Sequence, residues 1–306
     1  FSTTQCDALT TPDFSKEQLI RSTDGGQTWS VVSTLPDTVT YNGTSITGLY
    51  CDATNCVISG VKSSLSSSTA VILHSSDSGA TWSSVTPSVT GYSSSSIYSL
   101  TCFLTHCVSV GSLTSSQGSE VAIYSSSDTG ATWSRVSTSV TGALYSVSCV
   151  SATQCRAVGY SKTTKGITEV SMSTNNGTTW ASTPMTGIGI LISISCSTMN
   201  LCAIIGGDKN LNTFTSTLVS GVLQKTSSSP NIRSEVVCSP SRCSIASVTT
   251  KGVVFADSTN GGKSYSTVST LSVATGQAKS PGLTLSCPSA SLCIAVSDDG
   301  FISRRY

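Results

Sequence analysis

The sequence predicts an all-β fold: a seven-bladed β-propeller with four-stranded antiparallel blades, of which the first and last are incomplete in this chain. Serine and threonine supply 109 of the 306 residues, whereas leucine, glutamate and lysine, the residues that favour helices, are scarce. Cysteines recur with a period of 41 to 51 residues, which is the length of one propeller blade. A helical protein is therefore excluded, and a repeat architecture is favoured.

Each repeat is marked by the second cysteine of a close pair. The flanking segments, such as Cys56-Val57-Ile58-Ser59-Gly60, are typical of two strands joined by a tight loop. A third strand, a glycine-containing turn and a fourth strand follow, which is the pattern of one blade. We therefore expect a single domain over residues 1–306, with seven repeats marked by Cys6, Cys56, Cys107, Cys155, Cys202, Cys243 and Cys293.

The turn before the fourth strand carries the most specific motif, Ser-x-Asp/Asn-x-Gly-x-Thr/Ser-Trp/Tyr. It occurs five times, at residues 22–29, 75–82, 126–133, 173–180 and 258–265. The motif resembles the Asp-box, or bacterial neuraminidase repeat, of sialidases, sortilin-type receptors, photosystem assembly factors and several glycosidases and lectins. The resemblance implies a propeller in which this box is peripheral scaffolding.

The residue types of the box also have a structural explanation. Asp or Asn accepts hydrogen bonds from the amides of its own turn, glycine supplies a positive φ, and the aromatic side chain packs between sheets. We expect a structural role for ten box residues: Asp24, Trp29, Asp77, Trp82, Asp128, Trp133, Asn175, Trp180, Asn260 and Tyr265.

The close cysteine pairs are interpreted as disulfides rather than zinc ligands. Zinc sites need two pairs that converge, whereas one pair per blade spreads the thiols around a ring. The predicted bridges each contribute about 2 kcal/mol by the chain-entropy estimate and indicate an extracellular, cell-surface or periplasmic location. They are Cys51–Cys56, Cys102–Cys107, Cys149–Cys155, Cys196–Cys202, Cys238–Cys243 and Cys287–Cys293.

Cys6 is the one cysteine without a close neighbour in the sequence. Residues 1–6 parallel Val150-Ser151-Ala152-Thr153-Gln154-Cys155, which places the expected partner before Phe1. We therefore expect a mature chain longer than this one, with the additional segment completing the first and last blades. The alternative is a strand donated by a neighbouring subunit, since an open sheet edge is a template for assembly.

Charge and hydropathy exclude several partners. The net charge is +1 and only 10% of the residues are charged, so no basic stripe for nucleic acid is present. No apolar run of about 18 residues and no signal-peptide pattern occur, so membrane insertion is not expected. No cofactor and no metal site are predicted.

The sequence lacks the catalytic residues of a sialidase and of a Ser-His-Asp hydrolase. A sialidase needs three converging arginines with a tyrosine, a glutamate and an aspartate, and among the arginines only Arg233 lies on a variable loop. His74 and His106 are the only histidines, and no nucleophile-elbow motif accompanies them. A two-carboxylate glycosidase would draw on Asp37, Asp208, Glu235, Asp298 and Asp299.

Recognition is the leading prediction for function. Loops between the second and third strands vary from repeat to repeat, which suits a non-enzymatic binding module such as a lectin or adhesin that recognises glycans or surface proteins. The alternative is a structural subunit that self-associates through incomplete blades, and a glycoside hydrolase is third. Asn42 and Asn176 lie in N-glycosylation sequons. The candidate ligand-binding residues are Tyr41, Tyr92, Tyr98, Tyr145, Tyr160 and Arg233.

Overall fold

All regular structure in the described residues is antiparallel β-sheet. The computed structural model describes residues 5–10, 16–36, 44–161, 168–173, 178–185, 190–208, 213–220, 222–229, 234–239, 241–249, 252–271, 283–289, 292–297 and 302–305. These residues form 26 strands in seven sheets and contain no helix. No helix long and apolar enough to span a bilayer occurs in this part of the chain.

The chain divides into two compact units. One comprises Asp7–Arg21 and Ser30–Thr186, and the other comprises Phe1–Cys6, Ser22–Trp29 and Gly187–Tyr306. The first sheet comprises β1 (Cys6–Thr10), β2 (Gln18–Ser22) and β3 (Ser30–Thr34), and the second comprises β4 (Thr44–Cys51), β5 (Cys56–Ser63), β6 (Ser68–Ser75) and β7 (Ser83–Ser84). The third sheet comprises β8 (Ser94–Phe103), β9 (His106–Ser115), β10 (Gly118–Ser126) and β11 (Ser134–Arg135). The fourth comprises β12 (Gly142–Ser151), β13 (Gln154–Ser161), β14 (Thr168–Ser173) and β15 (Trp180–Met185).

The remaining three sheets belong to the unit that ends at Tyr306. They are β16 (Ile190–Thr198), β17 (Leu201–Gly207), β18 (Thr213–Val219) and β19 (Val222–Ser229); β20 (Ser234–Ser239), β21 (Arg242–Thr249), β22 (Gly252–Ser258) and β23 (Ser266–Leu271); and β24 (Leu283–Ser289), β25 (Leu292–Ser297) and β26 (Ile302–Arg305).

The prediction of seven blades is wrong in number, because the structure shows five complete blades. Five sheets have the four antiparallel strands of a blade, whereas the first and last sheets have three strands each. Within the described residues, the first sheet starts with the strand that carries Cys6 and so lacks the strand before it. In the same described part of the chain, the last sheet comprises β24, β25 and β26.

Disulfides staple the first hairpin of five sheets, which confirms the prediction of disulfide bonds. The bridges are Cys51–Cys56, Cys102–Cys107, Cys149–Cys155, Cys196–Cys202 and Cys238–Cys243. In each, the two cysteines lie directly opposite one another in the antiparallel register. Cys6 is buried and belongs to none of these five. The side chains of Cys287 and Cys293 lie outside the described set.

Apolar side chains fill the space between consecutive sheets. Ile58 and Leu73 of the second sheet pack in a cluster with Leu35, which follows β3. Ile97 and Leu113 of the third sheet pack with Val57 and Ile72 of the second. Equivalent clusters join the third sheet to the fourth, and β17 to β20 and β21. Alternation along the strands thus buries both faces of most sheets.

Four first strands contain a β-bulge at the same position. The extra residue is Thr47 in β4, Tyr98 in β8, Tyr145 in β12 and Ile192 in β16. In every case the residue before the bulge pairs with a glycine of the second strand, namely Gly60, Gly111, Gly159 and Gly206.

Steric crowding explains these glycines. A Cβ on Gly111 would lie 1.8 Å from the carbonyl oxygen of Ser96, and one on Gly159 would lie 2.0 Å from that of Ala143. A β-bulge that brings two backbones this close tolerates only glycine. Ser247 takes the equivalent place in β21, and the pairing of β20 with β21 has no register shift.

A substitution in a box turn is expected to destabilise the fold. Gly79 has a φ of +88°, and a Cβ there would lie 2.2 Å from Cδ2 of Leu19 in the preceding sheet. Backbone strain and overpacking together should lower the free energy of unfolding of Gly79→Ala by about 3 kcal/mol. Gly91→Ala is the matched control, because Gly91 has a φ of +85° with no atom within 4 Å of the added methyl.

Urea denaturation of both variants checks this prediction. The control should lose about 1 kcal/mol, the cost of the positive φ alone. Equal losses in the two variants would show that the contact between the box turn and Leu19 carries no packing energy.

Candidate functional site

The box turns are held by side chains of their own segment. In the second sheet, the Asp77 carboxylate accepts hydrogen bonds from the Ser75 hydroxyl at 2.7 Å, the Thr81 amide at 2.8 Å and the Thr81 hydroxyl at 2.6 Å. Asp24 and Asp128 repeat this pattern, and Asn260 accepts from the Ser264 amide instead. Because these bonds favour the ionised form, the pKa of Asp77 falls to about 2.

The aromatic residues of four boxes pack at the boundary between two sheets. Trp82, Trp133, Trp180 and Tyr265 border the clusters between sheets. The Trp29 indole donates to the carbonyl of Gly26 at 3.1 Å. Asn175 lies outside the described residues. The contacts of the described box residues are thus made within their own turns and with apolar side chains between sheets.

The cysteine loop and the box turn of one sheet are neighbours. The Ser78 amide donates to the Thr54 carbonyl at 2.7 Å, and the Thr129 amide donates to the Thr105 carbonyl at 2.8 Å. Ser220 and Asn200 make the same contact in the sheet that has lost the box. The cysteine loop and the box turn therefore lie at the same end of the strands of their sheet. The loop from the second to the third strand lies at the opposite end.

Three of the candidate tyrosines come together. Tyr98 and Tyr145 are the extra residues of the bulges in β8 and β12, and their ring centroids lie 5.3 Å apart. Tyr160, on β13, extends the row with its centroid 5.9 Å from that of Tyr145. All three side chains are half-buried. We call Tyr98, Tyr145 and Tyr160 the tyrosine cluster.

No charged side chain among the described residues shifts the pKa of Tyr145. Burial raises the pKa of Tyr145 to about 12, with smaller contributions from the hydroxyls of Tyr160 and Tyr98. The Tyr98 hydroxyl shares a hydrogen bond with the Ser112 hydroxyl at 3.2 Å. The hydroxyls of Tyr145 and Tyr160 make no hydrogen bond to the described part of the chain.

The other candidate residues are not part of this cluster. Tyr92 lies against the outer strands of the third sheet, where its hydroxyl donates to Glu120 at 2.5 Å and accepts from Arg135 at 2.9 Å. The Arg135 guanidinium stacks on the Tyr92 ring, 4.9 Å from its centroid. The Tyr92 hydroxyl and ring are therefore both engaged by side chains of the third sheet. Tyr41 and Arg233 lie outside the described residues, so their roles stay predictions.

Three arginines are engaged within single sheets. Arg21 pairs with Asp7 at 2.6 Å. Arg135 pairs with Glu120, and Arg242 pairs with Asp257. Each ion pair joins residues of the same blade-like sheet, so these guanidinium groups are committed to local contacts.

Among the described carboxyl groups, Glu235 has the pKa that its surroundings raise furthest. It lies on β20, and its Oε2 accepts a hydrogen bond of 2.6 Å from the Leu285 amide of β24. Burial raises its pKa to about 7, although the hydrogen bond acts in the opposite direction. Of the other carboxyl candidates, Asp37, Asp298 and Asp299 lie outside the described residues.

No cluster of three or more histidine, cysteine, aspartate or glutamate side chains suited to a metal ion occurs among the described residues. His74 is buried and its Nε2 has no hydrogen-bond partner in this part of the chain. Burial lowers its pKa, opposed by the charges of Asp128 and Asp52.

Sequence reasoning missed the bulges that place Tyr98 and Tyr145. A signal for them was present, because a glycine follows the second cysteine by four residues in four repeats, at Gly60, Gly111, Gly159 and Gly206. Thr47 occupies the same bulge position in β4, the first strand of the sheet before Tyr98.

Comparison with known proteins identifies the fold. The chain resembles the BP39L lectin from Burkholderia pseudomallei, with a TM-score of 0.62, 11% identity and coverage of 99% of this chain and 91% of the lectin. It also resembles YCF48 bound to D1 peptide, with a TM-score of 0.59, 15% identity and coverage of 99% and 92%. A Hadza microbial sialidase gives a TM-score of 0.57 at 11% identity, with coverage of 95% and 72%.

The chain has a β-propeller fold. The sialidases and the lectin among its structural neighbours are propellers, and at these identities the likeness concerns the fold alone. No family model matches the sequence, and no curated protein matches it significantly.

Proposed function

We propose that the protein is a non-enzymatic recognition module that acts outside the cell or at its surface and binds glycans through the tyrosine cluster. The contact of three tyrosine rings, with centroids 5.3 Å and 5.9 Å apart, carries this proposal. The negative face of an aromatic ring attracts polarised C–H groups such as those on one side of a sugar ring. Five disulfides support an oxidising compartment, extracellular or periplasmic.

The scaffold suits this role. We propose that both compact units belong to a single β-propeller domain over residues 1–306. Disulfide hairpins, box turns or both stabilise one end of six of the seven described sheets, so the loops at the other end are free to vary. The fold shared with a lectin supports recognition, and repeated weak sites would gain affinity through avidity.

Glycan-array binding of the disulfide-intact protein at several surface densities tests the proposal. Binding to one sugar class that rises steeply with density is expected. An absence of binding at every density would contradict it.

A structural subunit of an extracellular assembly is the second candidate. The observation that favours it is the pair of three-stranded sheets, whose edges can accept a strand from another copy. Filaments in native material under the electron microscope would support this function, and particles of the size of a single chain would argue against it.

A glycoside hydrolase is the third candidate, favoured by the Glu235 carboxyl with its pKa of about 7. A pKa near the working pH suits a general acid. Turnover of a chromogenic glycoside that is lost in Glu235→Gln would support an enzyme. The satisfied ion pairs of Arg21, Arg135 and Arg242 speak against a sialidase in particular.

A further inference from the structure

The three rings of the tyrosine cluster form one continuous aromatic surface. Tyr145 lies between the other two, because its ring contacts Tyr98 on one side and Tyr160 on the other. The interplanar angles are 44° and 32°, so neighbouring rings are tilted relative to one another and do not form a parallel stack. A ligand that uses all three rings has to extend along the row.

The cluster crosses from one sheet to the next. Tyr98 lies on β8 of the third sheet, whereas Tyr145 and Tyr160 lie on β12 and β13 of the fourth. The two first strands are held together locally, since the Val147 amide of β12 donates to the Ser99 hydroxyl of β8 at 3.3 Å. This hydrogen bond between a backbone amide and a side-chain hydroxyl ties the two strands together beside the cluster, which reduces the entropy lost on binding.

The surroundings of the cluster favour an uncharged ligand. Only burial and the other two tyrosine hydroxyls shift the ionisation of Tyr145, and no charged side chain contributes. A carboxylate or sulfate would have to lose water here without a described cation to replace it, which is costly. A sugar hydroxyl can instead hydrogen-bond to the Tyr145 and Tyr160 hydroxyls, which have no partner in the described part of the chain.

We infer that the tyrosine cluster binds a neutral, linear oligosaccharide of at least three sugar units rather than a single terminal acidic sugar. This inference rests on the proposed function and adds the class of ligand. Tyr145 stacks on the central sugar ring, and Tyr98 and Tyr160 contact the sugar units on either side. Thr47 occupies the same bulge position of β4, where its hydroxyl shares a hydrogen bond with the Ser59 hydroxyl at 3.2 Å.

Isothermal titration calorimetry with linear sugars tests the inference. The neutral probes are the hexasaccharides of glucose, xylose, mannose and N-acetylglucosamine with their monosaccharides, and the acidic probes are sialyllactose and the hexasaccharide of galacturonic acid. At least one neutral hexasaccharide should bind tenfold or more tightly than its monosaccharide. Tyr160→Ala should weaken the binding of that hexasaccharide about tenfold. Tyr160→Phe should keep most of the affinity, because the ring is retained.

The outcomes separate the two proposals. If sialyllactose or the galacturonic acid hexasaccharide binds through Tyr145 and no neutral chain does, the inference is wrong and recognition stands. Equal affinity for a monosaccharide and its hexasaccharide also overturns the inference. If no glycan binds in calorimetry or on the array, both the inference and the proposed function fail.

Discussion

Gly111→Ala is expected to lower the free energy of unfolding by about 4 kcal/mol, a larger loss than that expected of Gly79→Ala. A Cβ at this position would lie 1.8 Å from the Ser96 carbonyl oxygen and 2.9 Å from Cα of Ile97. Both atoms belong to the backbone of β8, so no side-chain rotation relieves the clash. The strand can only relax by losing its bulge.

Loss of the bulge changes the side of the sheet that Tyr98 faces. In a strand the side chains alternate, so a register shift of one residue moves each side chain to the opposite face. Ile97 and Leu113 are both fully buried in the third sheet and would be disturbed together with the tyrosine. We therefore expect Gly111→Ala to lose glycan binding as well as stability.

Urea denaturation and glycan binding of the purified variant provide the measurement. Gly91→Ala is the control, because it adds the same methyl group where no atom lies within 4 Å. The control should lose about 1 kcal/mol and keep full binding. A loss for Gly111→Ala no larger than that of the control would show that the glycine does not maintain the bulge.

Glu235→Gln is expected to remove a pH dependence of stability amounting to about 3 kcal/mol. The folded pKa of Glu235 is raised to about 7 from an ordinary value of 4.5. The folded protein therefore binds this proton more tightly than the unfolded chain does. The stability that this group contributes is fully present below pH 4.5 and is lost as the pH rises through 7.

The variant isolates this group from the others that titrate. Glutamine stays neutral, and its side-chain oxygen can still accept the hydrogen bond from the Leu285 amide. Relative to the native chain, Glu235→Gln should gain about 3 kcal/mol between pH 4.5 and pH 8. Glu235→Ser is a second test, since the Ser99 hydroxyl accepts the Val147 amide at the equivalent place between β8 and β12.

Denaturation at a series of pH values gives the difference between variant and native chain. Groups such as His74 and the box carboxylates titrate in both proteins and cancel. A difference that stays constant from pH 4.5 to pH 8 would mean that the Glu235 carboxyl keeps an ordinary pKa in the folded state.

The repeat architecture could be predicted because its signals are local. A disulfide between directly opposite residues requires a close cysteine pair, and a box turn requires Asp, Gly and Ser or Thr at fixed spacing. Both are visible in a short stretch of sequence, as in Cys51–Cys56 and residues 75–82. Incomplete first and last blades are part of the same prediction, and in the described residues the first and last sheets have three strands each.

The candidate site was only partly predictable. Tyr98, Tyr145 and Tyr160 were selected with Tyr92 because all four are tyrosines near strand ends or variable loops. What brings three of them together is a bulge in β8 and β12, which depends on long-range register rather than on residue type. Tyr92 differs because Glu120 and Arg135 of its own sheet bind it.

The central claim is that the tyrosine cluster is a glycan-binding surface. The measurement that tests it most directly is a density-graded glycan array probed with the native chain and with Tyr145→Ala, after both have been shown to unfold at similar temperatures. We expect density-dependent binding of the native chain to one sugar class and a loss of about tenfold or more for Tyr145→Ala. Binding of equal strength by the two proteins would contradict the claim and place the ligand elsewhere on the propeller.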